Sequence, residues 1–255
     1  VDVYWLYWDG QTGMPIQFRN AAPADSQPPL RTYTETLTFE ENHELWTNTP
    51  DAPANDYWFW DRLTAPDQGS YRVDFPAPAG TANDAVLRID FQGRTTNPHI
   101  AEVRVNGELA GDTRWEGAQI HTALFTASLG LFSPGENTIA INAPTGAGGL
   151  TNAFYLNRIQ ITYPRRLEAD DDRLHFSLPA ADAGGIEVSG FSGPDIRILD
   201  ISDPEIPRYL GGIATNPENA GHRVSFSHDS ADRTYYAFSR NTIEKPSRFK
   251  LRSPA

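Results

Sequence analysis

Short apolar stretches that alternate with polar residues recur along the chain, each closed by Gly, Pro, Asn or Asp. In AVLRIDF, Leu87, Ile89 and Phe91 alternate with Val86, Arg88 and Asp90, the period of two that gives a strand one dry and one wet face. By the same reading RTYTETLTFE, DYWFWDRL, YRVDFPAP, HIAEVRVNG, IHTALFTASL, NTIAINAP and FYLNRIQITYP are strands between Arg31 and Pro164. Asn106-Gly107 marks a hairpin tip because both residues tolerate positive φ, and Pro134-Gly135 marks a second turn. Some eight short strands in one block predict a β-sandwich, most simply a jelly roll. Beyond YPRRLEADDDRL a second set follows: RLHFSLP, GIEVSGF, DIRILDIS, RYLGGI, GHRVSFSH and RTYYAFS. They suit a smaller antiparallel sandwich. No stretch has the period of a long helix.

The fold class is therefore all-β, a jelly-roll β-sandwich followed by a smaller immunoglobulin-like β-sandwich. Residues 31–165 form the first and 166–240 the second, and 241–255 are a linker tail that holds the only lysines, Lys245 and Lys250. Residues 1–30 open with VDVYWLYWDGQTGMPIQF, two strands about a Gly-containing turn, which belong either to the first sandwich or to a preceding domain. Composition supports two bodies. All six tryptophans (Trp5, Trp8, Trp46, Trp58, Trp60, Trp115) lie in the first 115 residues. Residues 1–165 hold 10 basic and 19 acidic side chains, and the remainder holds 11 and 14.

The whole chain of 255 residues sets 21 Lys+Arg against 33 Asp+Glu, a formal charge of -12. A nucleic-acid partner needs a basic patch to displace counterions from phosphate, and an anionic membrane surface needs one too, so both are excluded. Apolar runs are short and broken by charge, which excludes direct membrane insertion. There is no cysteine, hence no disulfide, thiolate nucleophile or cysteine-ligated zinc. Val1 in place of an initiator Met reads as either a processed chain or a cloned segment.

Four aromatic residues, Tyr57, Trp58, Phe59 and Trp60, stand in a row. On one continuous strand Tyr57 and Phe59 share one side, Trp58 and Trp60 the other. One pair enters a core, and packing against a neighbouring domain is the preferred use of the outward pair. The alternative is a carbohydrate platform built from Tyr57, Trp58, Trp60 or Trp115, since indole and phenol faces stack on the C–H side of a sugar ring. The cluster Glu168, Asp170, Asp171, Asp172 lacks the glycine-punctuated spacing of a calcium loop and reads as a solvated linker. His222 and His228 flank one strand, some 20 Å apart at about 3.3 Å per residue, too far to share a metal. No Gly-x-Ser-x-Gly elbow or phosphate-cradling loop occurs, and nothing selects two carboxylates as a glycosidase pair. In DIRILDISDPEIPRYLGGI an acidic side chain caps the turn at Ser202-Asp203-Pro204. Such a phrase also suits a propeller blade, but a propeller repeats it every forty to fifty residues or so, and here it stands once.

Taken in order, NDYWFWDRL, HIAEVRVNGELAGDTRWEG, LFSPGENTIAI, FYLNRIQITYPRRL, VSGF, IRILDISDPEIPRYLGG and YYAFS resemble the β-rich region that precedes the catalytic domain in gingipain-like cysteine peptidases. The resemblance runs from about Val1 to Arg252. It implies a secreted or cell-surface bacterial protein whose Cys-His peptidase domain follows this region. The present chain would then be a non-catalytic accessory piece that packs against, or presents, an adjacent domain or a surface assembly. Arg248 and Arg252 would suit a processing site. The first block alone, through VRVNGELAGDTRWEG, FSPGENTIAI and FYLNRIQI, is also similar to galactose-binding-like jelly rolls. That likeness implies a glycan as the alternative partner and a structural calcium near an acidic residue of the last strand. Asn157 stands where that residue is expected. No other cofactor is implied.

Overall fold

The computed structural model describes residues 15–23, 28–49, 57–218 and 220–244. The expected strand before Gly10 and the tail with Lys245, Arg248, Lys250 and Arg252 lie outside the described residues. Among the described residues there is no α-helix, only strands and single 3-10 turns, and no helix is long and apolar enough to cross a membrane. The chain is all-β and divides into two compact units, Thr32–Arg166 and a two-segment unit made of Val1–Arg31 with Leu167–Ala255. The first strand, β1 (Gln17–Asn20), belongs to the two-segment unit.

The unit Thr32–Arg166 begins with β2 (Thr32–Phe39), β3 (Glu44–Leu45), β4 (Trp58–Phe59), β5 (Asp61–Thr64) and β6 (Gln68–Phe75). It continues through β7 (Asp84–Gly93), β8 (Pro98–Val105), β9 (Glu108–Glu116), β10 (Ile120–Ser128), β11 (Gly135–Asn142) and β12 (Ala153–Arg166). One sheet runs β10-β7-β12, and the two halves of β12 take β5 and β2 on the far side. The other runs β6-β11-β8-β9. This is the jelly-roll order, with β2 as an added strand. Leu87, Ile89 and Phe91 enter the core with Val103, Val105, Ile139 and Ile141. Tyr163 packs against Phe75 at a tilt, with ring centroids 4.1 Å apart, and donates its hydroxyl to the Pro76 carbonyl, so its polar tip is satisfied. Asn106 and Gly107, at φ 50 and φ 90, make the tight turn between β8 and β9.

One face that the alternation predicts as wet is not wet throughout. Asp90 is only 5% exposed. It accepts from Thr122 Oγ1 at 2.7 Å, Arg158 Nε at 2.6 Å and Arg88 Nε at 3.1 Å. Burial by itself raises its pKa, but these donors outweigh burial and hold the carboxyl below the usual range.

The two-segment unit adds β13 (Arg173–Leu178), β14 (Gly184–Phe191), β15 (Ile196–Asp200), β16 (Arg208–Gly211), β17 (Ala214–Glu218), β18 (Gly221–His228) and β19 (Arg233–Ser239). A five-stranded sheet β1-β16-β15-β19-β13 accompanies a three-stranded sheet β14-β18-β17. β1 pairs in parallel with β16, from Gln17↔Arg208 to Asn20↔Gly211, elements near opposite ends of the sequence. Its Arg19 lies 3.3 Å from Asp200, 3.2 Å from Asp229 and 3.2 Å from the Tyr235 hydroxyl. Leu30 forms an isolated bridge to Ile186, so the N-terminal segment touches both sheets of this unit. Of residues 1–30, the described Gln17–Asn20 and Leu30 thus pair within the two-segment unit.

Candidate functional site

The aromatic row is not one strand. β4 ends at Phe59, the chain bends at Trp60, and β5 then pairs with β12. The Trp60 amide already donates to the Leu156 carbonyl at 2.9 Å. The bend resets the alternation, so Trp58 and Trp60 do not share a face, contrary to the simple period of two. Trp58 is 43% exposed, whereas Phe59 and Trp60 are buried. Tyr57 is half-buried, and its carbonyl accepts from the Trp46 amide at 2.9 Å.

A small hairpin of β3 and β4 carries the row. Leu45 stands opposite Trp58, and both are exposed. On the inward side Phe59 and Trp46 each pack on Tyr155, with centroids 4.8 Å and 5.2 Å away. Trp60 meets Tyr71 at 4.8 Å and 59°. The Tyr71 hydroxyl donates to Asp61 at 2.9 Å, and burial, reinforced by that carboxylate, pushes the phenol well above its ordinary range.

Trp115 is 6% exposed and lies among Phe91, His99, His121 and Phe154, with centroids between 4.7 and 5.4 Å. Its Nε1 has no hydrogen-bond partner. His121 lies nearly parallel to the indole at 6° and 4.7 Å, and burial holds its pKa below the ordinary histidine range. Of the four platform candidates, Trp60 and Trp115 therefore sit in the core, and only Trp58 and Tyr57 reach the surface.

A shallow cavity of about 350 Å³ runs beside β8 and β9, lined by Pro98, His99, Ile100, Arg114, Trp115, Glu116 and Leu150. Asn152, fully buried, ties the loop that carries Leu150. Its Nδ2 donates to the carbonyls of Ile100 and Pro144, each at 2.8 Å, and its Oδ1 accepts from the Ile100 amide at 3.3 Å. The same Oδ1 is 3.3 Å from His99 Nδ1. Composition does not point to Asn152; only its placement shows that it anchors the loop.

The acidic cluster is a hairpin tip. Asp170 and Arg173 exchange backbone hydrogen bonds of 3.0 and 2.9 Å about Asp171 and Asp172, whose φ values are 46 and 62. Asp172 accepts from the Ser192 amide and hydroxyl, which lowers its pKa. Asp200 accepts from the amide and hydroxyl of Ser202, and Asp203 accepts from the Glu205 amide, so the DISDP turn is capped twice. His228 is buried between the Tyr235 hydroxyl and the Pro179 carbonyl, each 3.0 Å from a ring nitrogen. Among the described residues no three His, Asp or Glu side chains converge to hold a metal ion. Asn157 occupies the bulge of β12, and its Oδ1 is buried without a hydrogen-bond partner.

These features define an all-β chain of two sandwich units, the Thr32–Arg166 unit being a jelly roll with an aromatic hairpin on it. No family model matches the sequence, and no curated protein matches it. Among solved structures the chain is similar to dimeric latent PorU from Porphyromonas gingivalis, at TM-score 0.68 and 11% identity. That alignment covers 91% of this chain but 22% of the PorU chain, so the likeness is to a region of a much longer protein. A weaker likeness is to the CBM36-1 domain of a multidomain xylanase from the hindgut metagenome of Trinervitermes trinervoides. It has TM-score 0.35 and 13% identity, covering 51% of this chain and 96% of that one. A CBM36 module in complex with calcium and xylotriose gives TM-score 0.33 at 15% identity, covering 50% and 98%.

Proposed function

We propose that this chain is the non-catalytic accessory region of a secreted or cell-surface, gingipain-like cysteine peptidase, where it packs against or presents a neighbouring domain. The supporting observation is the backbone likeness to PorU over 91% of this chain and only 22% of the other. The sequence supports it independently, because a chain without cysteine has no thiolate to attack a peptide bond. Its work is then scaffolding: a rigid jelly roll and a second sandwich bound to its own N-terminal strand. The test is the parent reading frame together with a pull-down. A Cys-His peptidase domain encoded after Ala255 that binds the purified chain is the expected result. A parent without such a domain, or turnover of a peptide substrate by the purified chain, overturns the reading.

A second reading, glycan binding, rests on Trp58, which keeps 43% of its surface on the jelly-roll unit beside exposed Leu45. Retention on a glycan array that Trp58→Ala abolishes without loss of stability would favour it. Equal retention of wild type and variant would remove it.

A further inference from the structure

The jelly-roll unit treats its sheet edges unequally. β9 is an edge strand with a register shift against β8 and carries Glu108, Asp112, Arg114 and Glu116. β6 carries Arg72 and Asp74 on its own edge. Bulges and charges are the usual devices that stop an exposed edge from pairing with another chain. β10 has neither. Among the described residues its backbone pairs only with β7, in unbroken register from Ile120↔Gln92 to Ser128↔Asp84, and IHTALFTAS contains no Asp, Glu, Lys, Arg or Pro in a chain of net charge -12. At about 3.3 Å per residue these nine positions make an open edge roughly 30 Å long. At its midpoint Leu124 is 67% exposed, with Ile120 also exposed on the same face.

We propose that β10 is a self-pairing edge: a second copy of this chain docks antiparallel along it, so that the two β10 strands join the sheets of two protomers into one. The choice of occupant follows from the charge and the pattern of the strand. A two-fold axis through Leu124 sets Leu124 opposite its own copy, Thr122 opposite Thr126, and Ile120 opposite Ser128. Because the axis passes through a residue of the exposed set, every exposed side chain meets an exposed one, while on the core side Ala123 meets Phe125 and His121 meets Ala127. An acidic protein meeting itself ordinarily sets like charges face to face, and this neutral strand avoids that cost. Threonine pairs and a central leucine pair favour the register, and an antiparallel pair of this length closes about eight to ten backbone hydrogen bonds.

The experiment uses the full chain in sedimentation equilibrium over a dilution series. Wild type is expected to show a concentration-dependent mass reaching twice 28.3 kDa. Leu124→Lys and Leu124→Glu, each placing a charge opposite its own copy, are expected to be monomeric alone and to regain the dimer when mixed. Because the chain has no cysteine, Leu124→Cys should form one intermolecular disulfide on oxidation, whereas Arg72→Cys on the β6 edge should not. A wild type that stays monomeric throughout, single charge variants that dimerise as wild type does, or equal cross-linking at 72 and 124 each overturns the proposal.

Discussion

Trp60 and Trp58 stand two positions apart in one aromatic row, and the structure assigns them opposite energetic roles. Trp60 is 8% exposed, part of the jelly-roll core, and in ring contact with Tyr71 at 4.8 Å. Truncating such a side chain to alanine removes its transfer free energy and leaves a cavity, together ~3–5 kcal/mol. For a unit of this size each kcal/mol shifts the melting temperature by about 2–6 °C, so Trp60→Ala should lower it by roughly 6–30 °C. Trp58, 43% exposed, has less to lose, and Trp58→Ala should cost within about 1 kcal/mol. Differential scanning calorimetry of both variants, with urea titrations followed by far-UV circular dichroism, reads the difference directly. If the two variants melt together, or if Trp58→Ala is the more damaging, the bend at Trp60 and the burial argument built on it are wrong.

Three further outcomes follow from other contacts. Arg19→Ala removes one of two arginines from Asp200 and one from Asp229. Because Arg233 remains at both carboxylates, the loss should be ~1–3 kcal/mol rather than that of a fully orphaned buried charge, and hydrogen exchange at Gln17–Asn20 should rise sharply. Asn152→Ala and Asn152→Asp should each destabilise by ~2–4 kcal/mol, because the carbonyls of Ile100 and Pro144 both need the amide donor that aspartate lacks; equal stability of the aspartate variant and wild type would refute this. His121 has a depressed pKa in the folded state, so the unfolded chain binds its proton more readily and stability falls as pH drops below about 6.5. His121→Gln should flatten the stability profile in that window. The lowered carboxyls of Asp90, Asp172 and Asp229 contribute stability that is present above about 3.9 and lost as pH falls further, and that loss should remain in the variant.

Much of this architecture is written in local pattern. Alternation over Leu87, Ile89 and Phe91, the Asn106-Gly107 turn and the Pro134-Gly135 turn are properties of a few adjacent residues, and each stands in the structure where its chemistry places it. All-β character and the jelly-roll block follow from such signals added together. β17 shows where they fail: ATNPE has no apolar alternation and carries Pro217 within it, and it is a strand because β18 offers it an edge.

Other features needed the assembled chain. Asp90 alternates as a solvent-facing residue yet is buried, since Arg88, Arg158 and Thr122 close over it from its own and two neighbouring strands. Trp115 reads as well for a sugar platform as for a core, and only the arrival of Phe91, His121 and Phe154 around it selects the core. The parallel union of Gln17–Asn20 with Arg208–Gly211 has no signature within either segment. Periodicity records which side of a strand is dry. It cannot record which distant strand supplies the hydrogen bonds, or what lies over a face, because those depend on groups brought together from far along the chain.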